Sequence, residues 1–513
     1  MPAQIKNRTE RAVKGALVSF LQYGTQMVLQ LFLAPLVLRI AGQETLGAYA
    51  LLMQVLGYLA MLDLGISVSL NVFMARATGC DDSGKRLVAV LSTARTFLCI
   101  SNALIASIIF LFSTRLGIFF SSTQQTVESI QYGMLILATW QALKSPWSVF
   151  GIGLSATQNL ATSGVIGIIG NAGRLIFSLG FLFLGMGLAG LILGHVLAEA
   201  LNFTLSSWQF RKTYPSLKPR WGISDRVLLK EMLSFGLQSM LINIAWRLVY
   251  LTDNIVVGYL FGAAAVSVYY STQMPTTIAF NIVNRIHDNA SPALNEISAR
   301  GEARKLRDSF LKLHRYSLLF ALPLAGGIYL LNQKFVTLWV GSGQYAGDTM
   351  TTALAAFVLL TTINHLSFIF FISSGRILLF GIIGVLEGLT NLGLSIWLGK
   401  IIGLEGVMLA SVIANIPATA LVLYISMRRL GIGVLEYLRL CVFRSIVPAT
   451  VGYLLAYMVG ILLPSEGWFT FIAQGTTMVT VCGGVTYLFC LLNYEQDVVR
   501  RVFNKINFCQ YYK

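Results

Sequence analysis

The chain is 513 residues long, 56% hydrophobic and only 11% charged, with a mean hydropathy of +0.72. Soluble domains carry roughly 25% charged residues, so this composition excludes a soluble globule and indicates a polytopic membrane protein. The formal net charge is +16, yet 28 of the 37 Lys and Arg fall in segments that a cytoplasmic N-terminus places on the inner side, which leaves no basic, aromatic-interleaved face for nucleic acid.

The first 14 residues are polar and basic (Lys6, Arg8, Arg11, Lys14), and the apolar run after them is too long for a signal-peptide core, so it reads as an uncleaved first span. Apolar windows of about 20 residues, each long enough to cross the hydrocarbon core as a helix, recur at about 16–38, 47–72, 88–113, 129–155, 160–184, 187–208, 232–260, 263–284, 314–332, 350–373, 377–399, 403–427, 442–463 and 469–492. These runs are apolar throughout and do not alternate, which excludes a β-barrel. The expected fold is therefore all-α and polytopic, with about 14 transmembrane helices. Arg39, Arg115, Lys334 and Lys400 are the four cations placed outside, and the positive-inside bias sets both termini in the cytoplasm. Six cysteines (80, 99, 441, 482, 490 and 509) show no metal or redox spacing and lie in apolar windows or on the inner side, so neither disulfides nor a metal is expected.

Two stretches 220 residues apart look alike. Gly42, Leu46, Gly47, Ala48 and Tyr49 align with Gly262, Val266, Ser267, Val268 and Tyr269, and Lys85 falls on Lys305. Six windows separate corresponding points, so the copies share an orientation, as in parallel-repeat transporters with cargo between the halves. The expected organisation is an N-lobe at 1–210 (spans 1–6), a cytoplasmic linker at 211–228, a C-lobe at 229–428 (spans 7–12), and spans 13–14 with a cytoplasmic tail at 429–513.

Polar residues at three- and four-residue spacing mark one helix face. Span one carries Ser19, Gln22, Gln26 and Gln30; span two Asp63, Ser67 and Asn71; span seven Ser239, Asn243, Arg247, Tyr250 and Asn254; span eight Gln273, Thr277, Asn281 and Asn284. Such stripes must face other helices or water, so these four spans are expected to line a shared central cavity. A charge at the bilayer centre costs about 2.5–3.5 kcal/mol on the translocon scale. Lys144, Arg174 and Arg247 lie at that depth, as do Asp63, Glu199, Asp253, His365 and Glu387, and the cations suggest an anionic cargo.

Arg247 sits on the polar face of span seven, where a guanidinium can grip a phosphate; an ion pair with Asp63 or Glu387 is the alternative. Lys144 lies between Trp140 and Trp147 beside Pro146, which is expected to break the helix; the combination suits a cavity meeting sugar and phosphate. Arg174 follows Asn171 by one turn and either pairs with Glu199 or meets cargo. The candidate substrate-binding residues are Arg247, Lys144, Arg174, Trp140, Trp147, Tyr250, Asn243, Gln26 and Asn281, and the coupling-ion candidates are Asp63, Glu387 and Asp253. His195 and His365 read as packing or hydrogen-bonding histidines. No phosphate-binding glycine loop, nucleophile elbow or metal cluster is present, so no cofactor and no enzymatic activity are expected.

The run Leu62-Asp63-Leu64-Gly65-Ile66, the run Leu251-Thr252-Asp253-Asn254-Ile255-Val256-Val257-Gly258 with Gly262 and Tyr269, and Ser291-Pro292-Ala293-Leu294 followed by a basic loop and Leu322-Pro323-Leu324 together resemble the polysaccharide transporter family of flippases, the O-antigen (Wzx-like) translocases of the multidrug/oligosaccharidyl-lipid/polysaccharide exporter superfamily. The resemblance covers nearly the whole chain and implies two parallel six-helix lobes around a central cavity plus two C-terminal helices. It also implies a cationic cavity that moves an undecaprenyl-diphosphate-linked oligosaccharide (an O-antigen, capsule or exopolysaccharide repeat unit) from the inner to the outer leaflet of a bacterial inner membrane by alternating access. The implied partners are that glycan lipid, membrane lipids, H+ or Na+, and the polysaccharide polymerase and ligase machinery. The stripe of span one is neutral here, a departure from that pattern. A multidrug/cation antiporter of the same superfamily is the first alternative, and a membrane glycosyltransferase or polymerase the second.

Overall fold

A computed structural model describes residues 2–77, 83–119, 123–157, 159–223, 225–373, 377–463 and 467–490, with Gln496. The side chains of Lys6, Arg8, Arg11, Lys14 and Arg115, together with Cys80, Cys509 and the C-terminal tail expected beyond span 14, lie outside the described residues. The described chain is helical and contains no strand: α1 (Pro2–Leu59), α2 (Ile66–Ala77), α3 (Ser83–Phe119), α4 (Gln124–Ala156), α5 (Leu160–Phe183), α6 (Gly187–Thr213), α7 (Arg226–Tyr250), α8 (Thr252–Ala299), α9 (Ala303–Val340), α10 (Asp348–Ser373), α11 (Ile377–Ile402), α12 (Leu404–Arg429), α13 (Val434–Tyr437), α14 (Arg444–Leu462) and α15 (Trp468–Val485).

Eleven of the described helices are long and apolar enough to cross a membrane. Two of them exceed what one crossing needs: the apolar part of α1 and the adjoining turn span 46 residues and α8 spans 48, against about 20 for a bilayer core. Both are broken internally, α1 at Gly42 (φ 82, ψ 175) and α8 at Gly262 (φ 83, ψ 175). That backbone region is open essentially to glycine alone. The two breaks are 220 residues apart and nearly identical, which is the geometric imprint of the repeat seen in the sequence. The α1 segment after Gly42 runs on towards α2 and the α8 segment before Gly262 continues α7, so with α4 and α15 added the architecture is that of a polytopic protein of about fourteen membrane helices.

The chain forms two compact units: Met1–Ser271 with Gly381–Val407, and Thr272–Phe380 with Met408–Lys513. In the first, the two glycine breaks lie against each other. Gln43 Nε2 donates to the Ala264 carbonyl at 3.0 Å, and a Cβ placed on Gly47 would fall 1.7 Å from the Ala263 oxygen. In the second, α9 packs on α10 and α14, and the α14–α15 pair is stitched by Gln474 Nε2 donating to Ala456 O at 3.2 Å.

Two sequence expectations change. Span two is not a continuous helix: a 3₁₀ turn at Ala60–Asp63 and left-handed Leu64 (φ 51) interrupt it before α2. The helix continues through Pro146, where the sequence predicted a break. Pro146 removes the one backbone donor that would serve the Ala142 carbonyl, and a helix packed among neighbours tolerates that single loss.

The Gly47 contact yields a stability prediction. Gly47→Ala forces the two breaks apart and costs roughly 1–3 kcal/mol, as overpacking does. Gly24→Ala, a mid-helix position with nothing within 4 Å, is neutral or stabilising. Thermal unfolding of the two purified variants against the parent measures the difference.

Candidate functional site

The break in span two is the first component. Asp63 ends the 3₁₀ turn, and its Oδ1 accepts from Gly65 N at 2.8 Å, an Asx turn that holds the carboxylate at the bend. Gly65 packs on Gly236 of α7: a Cβ on Gly65 would lie 2.3 Å from the Gly236 oxygen. Ser69 Oγ donates to Met232 O at 2.7 Å, one turn away on each helix. The bend is thereby pinned to α7, and its polar face turns inward.

That face opens into a cavity of about 660 Å³ within the first unit. Carboxamides from five elements reach it (Gln22, Asn71, Asn102, Gln141 and Asn202), with hydroxyls that include Ser67, Ser148 and Ser206. Two ionisable groups line it, Asp63 and Lys144. Lys144 Nζ lies 3.1 Å from Glu199 Oε1, and the Trp140 indole N–H donates to the other oxygen of Glu199 at 2.5 Å. The carboxylate is thus held from both sides. The side chains of the pair keep 15% and 25% exposure, and it is Lys144 that lines the cavity.

The three deep cations do not converge here. Arg174 was expected either to pair with Glu199 or to meet cargo; Glu199 is taken by Lys144, and the Arg174 guanidinium donates to the Tyr49 hydroxyl at 2.5 Å with Met53 Sδ at 3.8 Å. Arg247 donates to the Gly57 carbonyl, just ahead of the bend. Its own carbonyl accepts from the Tyr58 hydroxyl at 2.8 Å, so α1 and α7 are tied reciprocally. Of the candidate residues, Lys144 and Asp63 line the cavity and Trp140 supports it through Glu199.

The others lie elsewhere. Trp147 lines a separate cleft of about 470 Å³ with Trp208, Arg211 and Lys212. Tyr250 stacks on Trp246 with ring centroids 4.8 Å apart. Gln26 and Asn243 are exposed, and Asn281 is half-buried in the second unit. Asp253 is almost fully buried: its Oδ2 accepts from the Tyr269 hydroxyl at 3.0 Å, and its Oδ1 faces Asn391 Nδ2 at 3.4 Å. Glu387, four residues before Asn391 on α11, is also buried.

Sequence reasoning missed the contributions of α3 and α6 to the cavity. Asn102 and Asn202 are isolated carboxamides in apolar helices, so no stripe announced them. The signal available was their rarity at membrane depth.

The family model described as "Polysaccharide biosynthesis protein" matches residues 36–346, more than half of the chain. The chain belongs to that family. A comparison with curated proteins gave no match. Among solved structures, this polysaccharide biosynthesis protein is similar to the lipid II flippase MurJ in an inward closed conformation, at 16% identity, with 92% of this chain and 98% of that one covered and a TM-score of 0.70. It is similar to an inward-facing multidrug resistance MATE family transporter of the MOP superfamily, at 16% identity, covering 80% and 98%, with a TM-score of 0.66. A third is a MOP superfamily transporter from Pyrococcus furiosus, described as having a binding pocket of reversed polarity, at 17% identity, 82% and 95% coverage and a TM-score of 0.61. The polysaccharide biosynthesis protein therefore has the MATE/MurJ transporter fold.

The cavity network gives a second stability prediction. Breaking a fully buried ion pair by removing one partner costs about 3–5 kcal/mol, and the residual exposure of this pair brings the expected cost of Glu199→Ala to about 1–3 kcal/mol. Lys144→Met combined with Glu199→Leu costs less than Glu199→Ala alone, because no charge is left unpaired. Chemical or thermal unfolding in detergent reads both.

Proposed function

We propose that this protein is a carrier that translocates an undecaprenyl-diphosphate-linked oligosaccharide from the inner to the outer leaflet by alternating access, delivering an O-antigen, capsule or exopolysaccharide repeat unit to polymerase and ligase machinery. The observation that carries the reading is the cavity, in a chain of the polysaccharide biosynthesis family. Its wall of carboxamides and hydroxyls offers donors and acceptors in the mixture that sugar hydroxyls require. Lys144 supplies one cation within it, for the diphosphate.

In the resting arrangement Glu199 neutralises Lys144. An entering diphosphate competes with that carboxylate for the ammonium, so Lys144 passes from one anion to the other and stays neutralised throughout. The Trp140 N–H keeps Glu199 satisfied while Lys144 is engaged with cargo. Arg247 and Arg174 act one layer back, holding the bend and α5 in place. The remaining candidates Trp147, Tyr250, Asn243, Gln26 and Asn281 belong to other stages of the transport path. Of the coupling-ion candidates, Asp63 lines the cavity and meets an entering ion there, whereas Asp253 and Glu387 are buried among helices. The halves 1–210 and 229–428, joined by the linker 211–228 and followed by 429–513, are the repeating parts, and the membrane is the bacterial inner membrane with both termini cytoplasmic.

Two experiments test this. In proteoliposomes carrying a short-chain fluorescent prenyl-diphosphate disaccharide, Lys144→Gln lowers translocation about 10- to 100-fold, the loss expected for one charge-assisted hydrogen bond worth about 1.5–3 kcal/mol. Undiminished translocation by Lys144→Gln at normal protein level sinks the reading. For orientation, a single cysteine at Ser342 in a cysteine-free background is labelled by an impermeant maleimide from the periplasm, and one at Lys218 is labelled only after permeabilisation. The reverse pattern refutes the topology.

A further inference from the structure

Three of the four histidines of this chain meet in the second unit. His287 on α8 is fully buried, His314 on α9 is 1% exposed, and His365 on α10 is 7% exposed. The rings of His287 and His365 stack with centroids 5.6 Å apart and planes 22° from parallel. His365 Nε2 lies 3.0 Å from Asp288 Oδ1, and the side chain of that aspartate keeps 50% exposure. His287 Nε2 and Ser317 Oγ are 2.6 Å apart, while His287 Nδ1 is buried without a hydrogen-bond partner. Phe368 lies 6.1 Å from His365, and Phe310 and Phe370 flank His314, so the shell is aromatic and dry.

Ionisable groups placed among apolar helices are costly and mark ion pathways or proton relays by default. The other charged and titratable groups around this cluster are Arg285 on α8, His314 and Arg315 on α9, and Tyr437 on α13, whose ring lies 5.6 Å from that of His314. His314 is occupied separately: its Nδ1 lies 3.0 Å from the Phe310 carbonyl and its Nε2 3.4 Å from Ser367 Oγ. Asp288 is the one group of the triad open to water.

The geometry points to the Asp288–His365–His287 triad as a binding site for a single proton, through which a pH gradient drives the carrier. This rests on the carrier reading above and names its coupling ion. In the unloaded state the Nε2–H of neutral His365 donates to the Asp288 carboxylate. An incoming proton adds to the Nδ1 lone pair of His365; no other bond forms or breaks, and the new imidazolium is balanced by the carboxylate it already faces. Stacking limits the load to one, because a second imidazolium with its ring centre 5.6 Å away would meet like charge at close range. Loading converts the α8–α10 contact from a neutral hydrogen bond into an ion pair, and unloading relaxes it.

The test needs no transported substrate for its first arm. With ¹⁵N-histidine label in nanodiscs, the four histidines give four imidazole spin systems. As the pH is stepped over the range in which the protein stays folded, one is expected to take up a proton and to be missing from His365→Gln, and Asp288→Asn weakens that uptake. His287 stays neutral throughout but shifts as its neighbour titrates. A His365 that stays neutral over that range, or a His287 that charges independently of it, overturns the proposal; Asp288→Asn, at a half-exposed position, keeps the test open should His365→Gln fold poorly. In the second arm the fluorescent prenyl-diphosphate disaccharide is followed in proteoliposomes with and without an imposed pH gradient. The gradient accelerates the parent severalfold, and His365→Gln and Asp288→Asn keep the gradient-free rate but lose the acceleration. Acceleration retained in both variants overturns the proposal. A parent that does not move the probe at all refutes the flippase reading instead, and the titration arm then decides this one.

Discussion

An ionised side chain surrounded by apolar helices must find a partner or water, and most of the first unit is arranged around that requirement. Each deep charge meets it differently. Lys144 is neutralised by Glu199, itself steadied by the Trp140 indole. Arg174 takes a phenol oxygen, Arg247 takes the backbone carbonyl of Gly57, and Asp253 takes a phenol and a carboxamide. Because these contacts join two helices, or in the Asp253–Tyr269 case the two arms of α8 across its Gly262 break, satisfying the charge and fixing the packing are one event. The bend of span two shows the same coupling: the Asp63 carboxylate caps Gly65, and the close Gly65–Gly236 approach then seats the bend on α7.

The membrane class and most helix boundaries were legible because apolar length is a strong, local signal. The windows 160–184 and 187–208 differ from α5 (Leu160–Phe183) and α6 (Gly187–Thr213) mainly where α6 runs on past the apolar zone. Pairings were less legible, since they depend on helix rotation. Glu199 could serve Arg174 or Lys144 by depth alone, and only the rotation of α4 against α6 gave it to Lys144. Pro146 misled for a different reason: a helix held by its neighbours in a membrane bundle tolerates the loss of one backbone bond, so proline is a weaker helix breaker there than in water. The histidine triad was invisible because His365 lies on a different helix from His287 and Asp288, and no single-helix pattern joins them.

The internal repeat explains why corresponding positions are used for opposite purposes. Tyr49 and Tyr269 occupy equivalent places after matching glycine breaks. A phenol both donates and accepts. In the first copy it accepts from the Arg174 guanidinium, and in the second it donates to the Asp253 carboxylate. Asn171 and Asn391 stand at the same offset: the first donates to Gln22 O and Thr25 Oγ1 at 3.2 and 3.1 Å, and the second faces Asp253. One scaffold of ambidextrous polar groups thus holds a cation in one copy and an anion in the other, which is how duplicated halves acquire different electrostatics without repacking.

Exposure then separates charges that hold the fold from charges that can exchange. Asp253 is 4% exposed and bound on both oxygens, so releasing it would leave a carboxylate stranded in hydrocarbon. Glu199, at 25%, is only partly buried and keeps its Trp140 contact independently of the cavity-lining Lys144, which suits the proposed exchange. Asp288, at 50%, can pass between water and His365 with little change in solvation. A carrier has to break and remake its polar contacts in every cycle, and the contacts suited to that are those whose partners water can replace. By this criterion Lys144–Glu199 and Asp288–His365 are the pairs able to exchange, as the proposed cargo and proton sites require, while Arg174, Arg247 and Asp253 hold the helices of the first unit in register.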